Sequence, residues 1–190
     1  MIAVQRWFWI ELARWSKVFK RSDTAIKFYR NALALRPNDA VVLACIGFEL
    51  AQQGRKREAL VWFDRAAAAK PDWAEAHFDR GFLLQQLNDP EAAIAAFDQA
   101  IAINPNHDRA LYGKALSLIG LRRPEEAIAP LEKNTKLQPM SPYAWYQLAR
   151  VQFDRGKPDK TQAIIDHLAR FDPKIAAQLA RETGLRAPPR

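Results

Sequence analysis

Ala59-Leu60-x-x-Phe63-x-x-Ala66, followed by Pro71, is the stretch whose recurrence decides the fold. The same phrase stands as Ala25-Ile26-x-x-Tyr29-x-x-Ala32 before Pro37 and as Ala93-Ile94-x-x-Phe97-x-x-Ala100 before Pro105. A shorter form, Ala127-Ile128-x-x-Leu131, precedes Pro139. Pro37, Pro71, Pro105, Pro139 and Pro173 are spaced 34 residues apart, each to the next. A fixed period of this length marks a stack of two-helix units, each of which buries its apolar face only against its neighbours. The period therefore predicts an all-α solenoid of antiparallel helix pairs.

With each proline at position 32 of its unit, the phrase resembles the tetratricopeptide repeat, a helix-turn-helix motif with small residues at positions 8, 20 and 27. The resemblance covers five repeats, residues 6–39, 40–73, 74–107, 108–141 and 142–175. It implies one right-handed superhelical domain over residues 1–190, with a capping helix over 175–184 and a disordered tail over 185–190. Its members share packing residues while binding different things, so the fold does not by itself give the function.

Local signals fill in the pattern. In repeat 1, Trp9, Leu12, Ala13 and Ser16 form the inner face of the first helix, and Ser22 or Asp23 is placed to cap the second. In repeat 2, Gly54 suits the left-handed end of a helix, while Gly47 and Ala59 allow close approach of two backbones. Asp89 and Pro90 make a clear start signal in repeat 3. Repeats 4 and 5 drift: Asn134, Thr161 and Leu168 stand where small residues are expected, and Pro130 predicts a kink inside its helix.

The chain has 29 Lys and Arg against 21 Asp and Glu, a formal charge of +8. Its distribution argues against a nucleic-acid track. Residues 1–39 carry 8 basic against 3 acidic side chains, residues 142–190 carry 9 against 5, and residues 74–107 carry one Arg against five acids. The acidic middle interrupts the continuous basic stripe that a phosphate backbone requires. The apolar start is broken by Arg6, Glu11 and Arg14, unlike a secretory signal or a membrane span. A cytoplasmic location is expected, with peripheral attachment at the cytoplasmic membrane face as an extension.

Catalytic inventory is lacking. His77, His107 and His167 are far apart and belong to no metal-ligand pattern, no Gly-rich phosphate loop occurs, and no serine lies in an elbow motif. His77 reads as a core histidine with one hydrogen-bond partner. Cys45, the single cysteine, reads as a small buried hydrophobe beside the groove wall. A non-catalytic chain with no cofactor and no metal is expected.

Two surfaces are candidates for function. The resemblance implies that positions 2, 5, 9 and 12 of each first helix line a concave groove. In repeats 1 and 2 these positions hold Trp7, Ile10, Arg14, Val41, Ala44 and Phe48. Repeats 3 to 5 add Phe78, Phe82, Tyr112, Leu116, Tyr143, Tyr146 and Arg150. Such a groove fits a peptide segment or helix of a partner protein, with Arg14 and Arg150 available to acidic flanks. The clamp by which one sub-type holds chaperone carboxylates is missing, because its places hold Ile10, Arg14, Cys45, Glu75 and Asp79. The second surface is the N-terminal edge. Phe8, Trp15 and Phe19 share one face of the first helix where no preceding repeat exists, an apolar area of about 500 Å². That edge suits an accessory or assembly factor of a larger complex, through self-association, another protein or a membrane surface.

Overall fold

A computed structural model describes residues 1–186. Eleven helices occur among them, joined by short turns, and they fall into two compact units, Met1–Pro105 and the segment from Asn106 onward. The tail expected over 185–190 lies, for residues 187–190, outside the described residues. Leu185 and Arg186 lead out of the last helix, and the Arg186 backbone exchanges hydrogen bonds with the Gln162 side chain at 3.1 and 3.3 Å.

The first unit consists of α1 (Ile2–Val18), α2 (Ser22–Leu35), α3 (Ala40–Gln52), α4 (Lys56–Ala69), α5 (Ala74–Gln86) and α6 (Pro90–Ile103). Helices pair as α1 with α2, α3 with α4 and α5 with α6, while α2 packs on α3 and α4 on α5. The repeated small residues explain the pairing. Ala25, Ala32, Ala59, Ala66, Ala93 and Ala100 are all fully buried, and their short side chains let large neighbours fill the space between helices. Gly47 and Gly81 serve the same end: Gly47 admits a ring, and Gly81 admits a ring together with the Ala93 backbone carbonyl. A Cβ on Gly47 would lie 3.1 Å from the Phe63 ring, and one on Gly81 would lie 2.8 Å from the Phe97 ring.

The helix ends follow from local chemistry. Asp89 caps α6 by accepting a hydrogen bond from the Ala92 amide at 3.2 Å, with Pro90 in the first turn. Gly54 takes φ +76° after α3, in the left-handed region that glycine enters without a Cβ penalty. At α2 the expected cap is not formed: Ser22 is already helical, Arg21 precedes it without a side-chain cap, and Asp23 instead accepts from Gln53 Nε2 at 3.0 Å. The acid therefore ties the α2 start to the end of α3. Pro37, Pro71 and Pro105 each stand just beyond the last helical turn, where a missing amide and a restricted preceding residue stop the helix.

The second unit consists of α7 (Asp108–Gly120), α8 (Pro124–Leu137), α9 (Pro142–Asp154), α10 (Pro158–Leu168) and α11 (Pro173–Thr183). α7 pairs with α8, α9 with α10, and α8 packs on α9. The drifting residues are accommodated individually. Asn134 is buried and donates to the Asp108 carbonyl at 2.6 Å. Thr161, fully buried, donates to the Lys157 carbonyl at 3.1 Å. α8 runs without interruption through Pro130, whose ring is buried. The fifth proline has a different role from the first four. α10 spans 11 residues where α2, α4, α6 and α8 span 14 each, and Pro173 opens α11 instead of following α10. Asp172 caps α11 by accepting from the Ile175 amide at 3.1 Å, which starts this helix two residues before the expected 175. α11 packs on both α9 and α10, buries Leu179 fully and ends at Gly184, φ +67°.

Candidate functional site

The inner-face positions of the first unit are carried by α1, α3 and α5, and the structure divides them into two sets. Phe48 and Phe82, at equivalent positions of α3 and α5, are each 48% exposed. Trp7 and Val41 are exposed as well, and Ile10 is half-buried. Phe78 and Ala44 are instead core residues: Phe78 is 7% exposed and lies 6.0 Å from the Phe97 ring centroid. Position 5 thus supports the stack, and position 9 presents the surface. Phe78 still acts on the face indirectly, since its ring stacks on Phe82 at 6.1 Å. Offset ring pairs of this kind hold an exposed aromatic in a fixed orientation.

Lys17, at position 12 of the first repeat, joins this face to the core. Its Nζ lies 5.0 Å from the Phe48 ring centroid and 3.0 Å from Glu49 Oε1, with the Glu49 side chain 4% exposed. The ammonium therefore neutralises a buried carboxylate and covers an exposed ring at once. Beside it, burial pushes the Cys45 thiol up, and burial likewise raises the Tyr29 phenol. A thiol held protonated is a poor nucleophile. Arg14 does not wait for a partner's acid, because it pairs with Glu11 at 2.9 Å.

In the second unit, Tyr112, Tyr143 and Tyr146 come together with Gln147, Ile175 and Gln178 around a pocket of about 270 Å³. Leu116 is half-buried on the same helix as Tyr112. Burial raises the Tyr112 phenol against the opposing effect of its hydrogen bond with Gln147. Arg150 is committed to the capping helix. It lies 3.3 Å from Glu182, which also accepts from the Tyr146 hydroxyl at 2.8 Å and from Gln178 Nε2 at 2.8 Å. Repeat periodicity pointed to the tyrosines but not to Ile175, the last residue of repeat 5, nor to Gln178 or Glu182, which lie beyond the repeats. The Gln178/Glu182 spacing of four residues on α11 was the available signal.

Those bonds hold the Glu182 carboxyl below the usual glutamate range, Gln178 and Tyr146 first and Arg150 after them. A carboxyl depressed in the folded state stabilises above its unfolded pKa, and that stabilisation is lost as pH falls through the folded value. Carboxyl-carbon NMR should therefore show Glu182 titrating below the usual glutamate range, and Arg150→Gln should move its midpoint up. A midpoint unaffected by Arg150→Gln would mean that the pair is not formed in solution.

Position 4 of the repeats carries a feature that only the coordinates show. His77 Nε2 donates to the Pro71 carbonyl at 2.9 Å, and Trp145 Nε1 donates to the Pro139 carbonyl at 3.0 Å. Two different ring N–H groups fix the inter-repeat turn in the same way. Among the described residues, no group of three His, Cys, Asp or Glu is placed to hold a metal ion, and no helix is long and apolar enough to cross a membrane.

The sequence matches family models described as tetratricopeptide repeat over residues 74–107 and 112–173, together half of the chain. The chain belongs to the tetratricopeptide repeat family. As a tetratricopeptide repeat protein it is an interaction scaffold of helix pairs. Solved structures carry the same fold at low identity. The MamA protein superposes with a TM-score of 0.81 at 19% identity, covering 97% of this chain and 98% of that one. A tetratricopeptide repeat protein from Parabacteroides merdae gives 0.81 at 22% identity, covering 95% and 74%. YrrB, described as a TPR protein with an unusual peptide-binding site, gives 0.77 at 20% identity, covering 93% and 90%. No curated protein matches the sequence at a significant level.

Proposed function

We propose that this tetratricopeptide repeat protein is a non-catalytic adaptor whose first helices hold an apolar or amphipathic peptide segment of a partner protein. The observation that carries the reading is the half exposure of Phe48 and Phe82 at equivalent places on α3 and α5. On α5 the stack does not need an apolar residue there, since Phe97 already packs on Phe78 and into the notch at Gly81. Two oriented rings with Val41 beside them offer the anchors of a helix-in-groove or extended-peptide mode. By itself, the tyrosine-lined pocket of the second unit suits an apolar side chain, with Gln147 and Gln178 as neutral donors for backbone carbonyls. The peptide-binding description of YrrB is consistent with use of the fold in this way.

Selection of displayed random peptides on the intact protein, followed by anisotropy titration, tests the proposal. Peptides with two or more large apolar residues should be enriched, and Phe48→Arg with Phe82→Arg should weaken them by about thirtyfold or more at normal helicity. Equal affinity for wild type and variant would reject the inner face as the binding surface.

A further inference from the structure

The exposed face of α1 is a separate surface, independent of the inner-face reading. α1 begins at Ile2, four residues before the repeat position at which α3, α5, α7 and α9 begin, and runs for 17 residues where those helices have 13. Val4, Phe8, Trp15, Val18 and Phe19 fall within about 100° of one another on its helical wheel. All five are exposed, Trp15 to 61% and Phe19 to 68%. The opposite side of α1 is occupied: Ala13 and Ser16 are buried, Arg6 pairs with Asp39, and Lys17 pairs with Glu49. The stripe thus lies on the side of α1 turned away from its contacts with the first unit.

Charge decides what fits the stripe. Lys20 and Arg21 follow it directly, both exposed, and among the described residues neither has an acidic partner within ion-pair distance. The only acid on α1 is Glu11, and Arg14 neutralises it. A second copy stacked face to face through the same stripe brings no anionic complement and sets like charges together. An anionic lipid surface supplies both needs. Aromatic rings and valines enter the headgroup boundary while the cations meet phosphate, as interfacial amphipathic helices do.

We infer that α1 is an interfacial helix that attaches the protein peripherally to anionic membranes, with Trp15 and Phe19 inserted and Lys20 and Arg21 on the lipid phosphates. The full chain is mixed with vesicles of phosphatidylcholine alone, or with 30 mol% phosphatidylglycerol, and separated by flotation. Binding to the anionic vesicles, loss in 0.5 M NaCl, and a drop of about tenfold or more in both Trp15→Glu/Phe19→Glu and Lys20→Glu/Arg21→Glu are expected. All four positions are exposed, and circular dichroism verifies that each variant keeps its helices. The inference is overturned if anionic vesicles do not retain the wild type, or if either double variant binds as the wild type does. It is equally overturned if the wild type is a dimer that Trp15→Glu/Phe19→Glu dissociates while vesicles bind neither. Peptide affinity at the inner face should be the same in both α1 variants, which keeps the two proposals distinguishable.

Discussion

Phe97→Ala should destabilise the first unit by about 3–5 kcal/mol, the range for removing a fully enclosed aromatic side chain. Phe97 is 0% exposed, and its ring fills the notch left by Gly81 on the facing helix while meeting Phe78. The same notch gives a sharper test. Alanine is favoured over glycine inside a helix by about 0.8–1.0 kcal/mol, so Gly81→Ala in α5 would stabilise if the site were open. A Cβ there would stand 2.8 Å from the ring and 3.2 Å from the Ala93 carbonyl, an overpacking worth about 1–3 kcal/mol. Urea unfolding should show Gly81→Ala as destabilising in the native background and as clearly less so once Phe97 is alanine. Additive effects in the double variant would mean that the two residues do not share the contact.

Lys17→Met is expected to lower stability by about 2 kcal/mol because it strands Glu49 in the core without its counter-charge. Breaking a fully buried pair costs about 3–5 kcal/mol; here the carboxylate is 4% exposed but the Lys17 side chain is 36% exposed, so solvent screens part of the interaction. The double variant Lys17→Met/Glu49→Met should recover most of the loss, since both polar groups then leave together. Chemical denaturation with both single variants closes the cycle, and a double variant no more stable than Lys17→Met would show that the ion pair is not the source. Lys17→Met also removes the cation above Phe48, so its effect on peptide affinity would report on the orientation of that ring.

The repeat phrase determined the helix pairs, their order and the small positions, because a period in residue size translates directly into the spacing of packed helices. Gly54, Asp89 and Gly184 were legible for the same reason: each acts within a few residues of its own place in the chain. Ser22 and Asp23 were not, because the competitor for Asp23 is Gln53, 30 residues away. At position 5 the sequence placed Ala44 and Phe78 on the groove with Phe48, whereas packing against neighbouring helices buries them and leaves position 9 outside. Arg14 and Arg150 likewise carry the charge that the sequence promised, but Glu11 and Glu182 already hold it. Periodicity thus established the family architecture and the apolar character of both candidate surfaces. Which side chains stay exposed, which cations remain uncompensated, and how α11 closes the tyrosine pocket were decided by tertiary structure alone, because burial and ion pairing depend on residues that sequence distance keeps apart.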